Sequence, residues 1–151
     1  MMTMKRCKWT NELSIGNINI DNDHEKLIEV HNDLYDLIEL KNSHKEFSEI
    51  LSNMTDYVLI HFKKEEVYME EFEYPKLKEH KQYHSNYIYK VAMYNIDLLG
   101  TNPPEPKEII EFIEKWWVNH IMKIDRDYEN YKKETGSDAK YGAFWGIKNA
   151  C

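Results

Sequence analysis

Four stretches of this sequence repeat apolar residues at intervals of three and four, and almost nothing between them can turn a chain. Such spacing lines one face of a 3.6-residue helix. The first stretch runs from about Asp21, the expected N-cap, to Leu40, with Leu27, Ile28, Leu34 and Ile38 in register. The second opens at Ser43, where Glu46 completes a capping-box signature. It continues through Phe47, Ile50, Leu51, Met54, Val58, Tyr68 and Phe72, until Tyr74-Pro75 interrupts it. The third carries Leu77, Tyr87, Ile88, Val91 and Leu98, and Gly100 to Pro106 then forms the clearest loop. The fourth carries Ile109, Ile113, Trp116, Ile121, Ile124, Tyr128 and Tyr131, with Gly136 as its stop. Only 5 glycines and 4 prolines occur in 151 residues, too few for the frequent turns of a many-stranded sandwich or barrel.

The expected fold is therefore all-α: an antiparallel up-down-up-down four-helix bundle over residues 20–134. Residues 1–19 form an N-terminal arm, and residues 135–151 a short C-terminal tail. Tyr141, Phe144 and Trp145 of the tail either dock on the bundle or meet a partner. The formal charge of −7 argues against a nucleic-acid binder, which needs a basic face for phosphates. No apolar run is long enough to span a membrane, and the N-terminus lacks the apolar stretch of a secretory signal. A cytoplasmic location follows as the expectation, with Cys7 and Cys151 read as two unpaired thiols.

The chain also has 7 histidines, and most fall on the apolar faces. His61 and Glu65 are four residues apart, as are His80 and His84, so each pair points one way around its helix. His61 shares the register of Val58 and Tyr68, and His80 and His84 that of Leu77 and Tyr87. His24 precedes Leu27, and His120 lies one turn past Trp116. Each helix thus sends an imidazole inward. Burial disfavours the charged form, and neutral imidazole is a good transition-metal ligand. Glu65 and, near it, Asp125 need compensation inside the same core. Asp125 stands five residues after His120, about 140° around an α-helix, which by periodicity is a poor pairing.

Five imidazoles and two carboxylates exceed one tetrahedral zinc site, and no core segment offers a thiolate. Nitrogen and oxygen donors with bridging carboxylates suit a pair of iron or manganese ions. The Glu-x-x-His repeats of ferritin-like di-iron proteins are absent. The motifs resemble those of the hemerythrin family, in its single-domain bacterial form, over roughly residues 9–131. They are Trp9, Ile15-Gly16 and Ile20 to His24 at the start; His61-Phe62 through Glu65 and Glu66 to Met69; His80 and His84; then Trp116, His120-Ile121, Asp125 and Tyr128.

The resemblance implies two iron ions joined by an oxo or hydroxo bridge. His80, His84 and His120 would hold one, His24 and His61 the other, and Glu65 and Asp125 would bridge both. The second iron would be five-coordinate, and its open position implies reversible O2 binding, as a carrier, store or local supplier and not as an enzyme. The resemblance assigns the pocket lining to Leu27, Phe62, Met69, Trp116, Trp117, Ile121 and Tyr128. Trp117 stands where the family usually has leucine; it either narrows the pocket or turns outward. His44 reads as a solvated surface residue. His31 reads as a satisfied core histidine, with a proton-relay role near the open iron as the alternative. The rival functions are a di-iron oxidase or peroxidase, a nitric-oxide-handling enzyme, and an O2 or redox sensor module.

Overall fold

In the computed structural model, residues 7–39 and 44–135 are described. Every regular element among them is helical: a 3-10 turn (Asn11–Leu13), α1 (Ile18–Glu39), α2 (His44–Glu71), α3 (Leu77–Leu98), α4 (Pro106–Asn119), a π-helical turn (His120–Asp125) and α5 (Arg126–Glu134). The π turn joins α4 to α5, so these three make up the fourth long helix. Helix α1 packs on α2 and α4, and α3 packs on the same two, giving the ring of neighbours of a four-helix bundle. No helix among the described residues is long and apolar enough to cross a membrane. Ser43, Gly136, the tail aromatics and Cys151 lie outside the described residues.

The start of α1 differs from the expectation. Asn17, not Asp21, is the cap: its Oδ1 accepts from the amides of Asn19 at 3.0 Å and Ile20 at 3.2 Å. Gly16 precedes it at φ 90, a left-handed conformation that favours glycine. Asp21 sits one turn further in, where its carboxylate accepts from Ser14 Oγ and from the Ile15 amide. That pins the arm to the helix it enters. The Arg126 guanidinium adds a second clamp, donating to the carbonyls of Glu12 and Ser14 at 2.6 and 3.1 Å.

The core is layered. One apolar cluster contains Leu27, Leu34, Leu51, Val58, Tyr87, Ile113 and Trp117. A second contains Ile15, Ile20, Met69, Tyr74 and Tyr128. Most of the inward histidines fall between residues of these two clusters: His24 between Ile20 and Leu27, His61 between Val58 and Met69, His120 between Trp117 and Tyr128. These groups form one stratum sealed above and below by hydrocarbon, and buried His31 lies apart from it, between Leu27 and Leu34.

Cys7 corrects an expectation. It is buried and disulfide-bonded, not a free thiol; its partner sulfur lies outside the described residues. The arm folds back over α1, where Cys7 and the Asn32 side chain exchange two hydrogen bonds of 2.9 Å, amide to Oδ1 and Nδ2 to carbonyl. Such a return is a tertiary contact with no local sequence signal.

Candidate metal centre

The polar stratum gathers His24, His61, Glu65, His80, His84, His120 and Asp125, all essentially buried. They form two overlapping groups. Glu65, His80, His84, His120 and Asp125 make one, and His24, His61, Glu65 and Asp125 the other. The two carboxylates are common to both. Asp125 Oδ1 lies 2.9 Å from His120 Nε2 and 3.1 Å from His80 Nε2, while Oδ2 lies 3.1 Å from His24 Nε2. Glu65 Oε1 is 3.1 Å from His84 Nε2 and 3.8 Å from His61 Nε2; Oε2 is 3.9 Å from His24 Nε2.

The π turn explains the place of Asp125. In an α-helix, five residues would carry it well away from His120. The i→i+5 pattern of His120–Asp125 widens the turn, so residues five apart stand above one another. One extra residue in the helix thus brings a carboxylate into the imidazole layer. Periodicity does not reveal this.

Two further carboxylates orient the rings. Asp23 Oδ2 accepts from His61 Nδ1 at 2.9 Å, and Glu66 Oε2 from His84 Nδ1 at 2.9 Å. An ionised carboxylate only accepts, so each Nδ1 carries the proton and each Nε2 is left to point inward. Lys64 Nζ, at 2.8 Å, and Tyr57 OH, at 3.0 Å, also donate to Asp23. Burial pushes the Asp23 carboxyl up, but the bonds from His61 and Lys64 outweigh it and hold it well below the usual carboxylate range. Asp23 and Glu66 stand inside the motifs quoted above, but the sequence assigns them no role. Their only signal was adjacency, beside His24 and Glu65, in runs already rich in acid.

The electrostatics suit a cation. Burial and mutual repulsion push Glu65 up, yet the surrounding imidazoles keep it below its ordinary range. Burial likewise opposes ionisation of Asp125, and His120, His24 and His80 reverse it. Tyr128 is driven far above its usual value by burial and by these carboxylates, so it stays protonated and donates to Glu65 Oε2 at 2.8 Å. Both Asp125 oxygens, Glu65 Oε1, His61 Nε2 and both His24 nitrogens lack a hydrogen-bond partner among the described residues. A buried polar group left so costs about 1–3 kcal/mol. Coordination to a cation would satisfy them together, and the N/O donor set fits iron or manganese in pairs.

A pH dependence follows for the metal-free chain. Burial lowers His80, but Asp125 and Glu65 raise it from 6.5 to about 9. His24 is raised as well, whereas burial and the charge on His80 push His120 down. A raised histidine stabilises the fold fully below its unfolded value and loses that contribution as pH climbs through the folded one. In chelator, stability is expected to fall by about 3 kcal/mol between pH 6 and 9.5. It also falls in acid, where Glu65 and Asp125 become protonated. Urea midpoints across this range check both limbs; a flat profile above pH 6 contradicts the alkaline one.

The expected pocket residues part into two groups. Leu27, Trp117 and Ile121 line a cavity of about 30 Å³, together with His24, Leu13, Ile113 and others, which is room for one or two water-sized molecules. Trp117 is buried, its ring 6.1 Å from His24 and 6.0 Å from His61, and so faces inward. The other four do not line this cavity. Phe62 stacks on His84 at 3.7 Å, and Trp116 stacks on His120 at 4.2 Å. Tyr128 and Met69 belong to the second apolar cluster. His44 is exposed. His31 is buried, with Nδ1 3.3 Å from Asn32 Oδ1 and Nε2 3.5 Å from Glu114 Oε2.

Comparison with known proteins agrees with this arrangement. A family model described as the hemerythrin HHE cation binding domain matches residues 16–131. A bacteriohemerythrin of Clostridium acetobutylicum is 32% identical over 80% of this chain and 96% of its own length. One of Pseudomonas aeruginosa is 29% identical over 89% of this chain and 87% of its own. A crystal structure of a leucine-to-phenylalanine mutant superposes with a TM-score of 0.77 at 26% identity, covering 84% of this chain and 97% of the other. A buried layer of imidazoles and shared carboxylates, in a bundle of this shape with these relatives, has one reading: the chain belongs to the hemerythrin family of cation-binding proteins.

Proposed function

We propose that this protein is a non-haem di-iron protein that binds O2 reversibly and does not turn it over. The observation that carries the reading is the sharing of Glu65 and Asp125 between two imidazole groups of unequal size, with a cavity against the smaller one. His80, His84 and His120 would hold one ion and His24 and His61 the other, with Glu65 and Asp125 within reach of both. The second ion has one protein nitrogen fewer, and the cavity reaches His24. Two ferrous ions, when bound, supply the electrons for O2 binding.

The chain's own residues do the rest. Asp23 and Glu66 fix ring orientation and tautomer at one histidine of each group. Tyr128 holds its proton on Glu65, away from the cavity. Leu27, Ile113 and Ile121 give the ligand space an apolar wall on the side of His24, which disfavours water there and so opposes proton delivery. The test is to load the chain with ferrous iron without air, then admit and remove O2 repeatedly while recording the visible spectrum. A band that forms with O2 and vanishes on its removal is the expected result. Conversion to a ferric form in the first cycle overturns the reading in favour of an oxidase.

Trp117 sets the width of that space. Its indole lies across Phe62, with ring centres 5.7 Å apart, and borders both His24 and His61. Trp117→Leu removes several ring atoms from the cavity wall and is expected to speed O2 association about tenfold, at a stability cost of about 1–3 kcal/mol. Stopped-flow mixing of the diferrous protein with O2 measures this; equal rates in the two proteins exclude a gating role.

A further inference from the structure

Cys7, His31 and Glu114 meet in the wall of the same cavity, apart from the ligand layer. They come from the arm, α1 and α4, and their donor atoms lie within 4.8 Å of one another. Cys7 Sγ is 4.0 Å from His31 Nε2, which is 3.5 Å from Glu114 Oε2. All three residues are buried, and Glu114 Oε2 has no hydrogen bond among the described residues. Asn32 organises the group: its Oδ1 faces His31 Nδ1 at 3.3 Å, and it holds the Cys7 backbone by two hydrogen bonds. With the proton on Nδ1, His31 Nε2 aims a lone pair between the sulfur and the carboxylate.

Those separations are near what one small ion requires. Metal–sulfur and metal–nitrogen bonds of about 2.3 and 2.0 Å at tetrahedral angles place the donors roughly 3.5 Å apart. The Cys7–His31 and His31–Glu114 spacings are within about half an ångström of this, and Cys7 and Glu114 stand within 4.8 Å. We propose that reduction of the Cys7 disulfide creates a second, mononuclear site, Cys7–His31–Glu114, for a zinc-class divalent cation. A dithiol delivers two electrons and two protons to the disulfide, which becomes two thiols while the dithiol becomes a disulfide. Cys7 then releases its proton to solvent as the sulfur–metal bond forms. One thiolate and one carboxylate neutralise a divalent ion, so the cluster carries no net charge in an apolar wall. The mixed S, N, O set favours zinc over magnesium or calcium. The ion completes its coordination from the cavity that reaches His24, so the thiol state of the chain controls the space next to the main centre.

Cobalt(II) is the probe, because the main centre contains no sulfur. The full chain, titrated after reduction, is expected to develop a thiolate-to-cobalt charge-transfer band in the near ultraviolet; the oxidised chain is not. In Cys151→Ser, Cys7 is the only cysteine, no intrachain disulfide can form, and the band needs no reductant. Cys7→Ser abolishes the band, and His31→Leu weakens the binding that produces it by about tenfold or more. Circular dichroism verifies that each variant folds. No band in either the reduced chain or Cys151→Ser, an unchanged affinity in His31→Leu, or a band that survives Cys7→Ser overturns the proposal. The sulfur band is read separately from cobalt uptake at the main centre, so failure here leaves the O2 reading untouched, and the reverse holds.

Discussion

Asp125→Ala will lower the metal content of the reconstituted protein from two ions per chain to one or none. Asp125 presents Oδ1 to His80 and His120 and Oδ2 to His24, so no other residue replaces it in both groups. Its removal also takes a full negative charge from the stratum proposed to hold two divalent ions. Loss of a group that only orients a ligand costs 10–100-fold in metal affinity, so loss of a shared ligand is expected to cost at least about 100-fold. Asp125→Asn keeps the shape and one acceptor oxygen and should fall between. Elemental analysis after loading and desalting measures both. Retention of two ions by Asp125→Ala contradicts the shared-carboxylate arrangement. Glu65→Ala tests the same point from α2 and additionally strands the Tyr128 hydroxyl.

The second large effect is on stability. Without metal, the imidazole and carboxylate atoms of the stratum face one another between two hydrocarbon layers, several without hydrogen bonds. Metal that binds only the folded chain adds its binding free energy to folding, about 4 kcal/mol for a site at a thousandfold excess over its dissociation constant. Two such sites in a domain of this length correspond to a rise in Tm of about 15 °C or more. Calorimetry of the loaded protein and of the chelator-treated protein gives the difference directly. An unchanged Tm would mean that the polar stratum is satisfied without an ion.

The architecture was legible because the helical period and the poverty of turn residues agree. The same period put His24, His61, His80, His84 and His120 on core faces, where they are in fact buried. What periodicity missed were departures from the ideal helix and contacts between distant segments. The π turn overrides the α-helical angle between His120 and Asp125. Asn17 caps α1 because Gly16 bends the arm to bring it there, and Asp21 is diverted to tie down Ser14. Asp23, Glu66 and Glu114 look like ordinary helix-surface acids until the neighbouring helix places a histidine against each. Cys7 reaches α1 only through the fold of the arm.

Central to the proposed function is that two ions share Glu65 and Asp125 in a single centre. Mössbauer spectroscopy of the chain loaded with iron-57 and oxidised tests it most directly. Two bridged ferric ions couple antiferromagnetically, so the expected spectrum at low temperature in an applied field is diamagnetic, and electron paramagnetic resonance is silent. A magnetically split pattern from isolated high-spin ferric ions, at the same iron content, would contradict it.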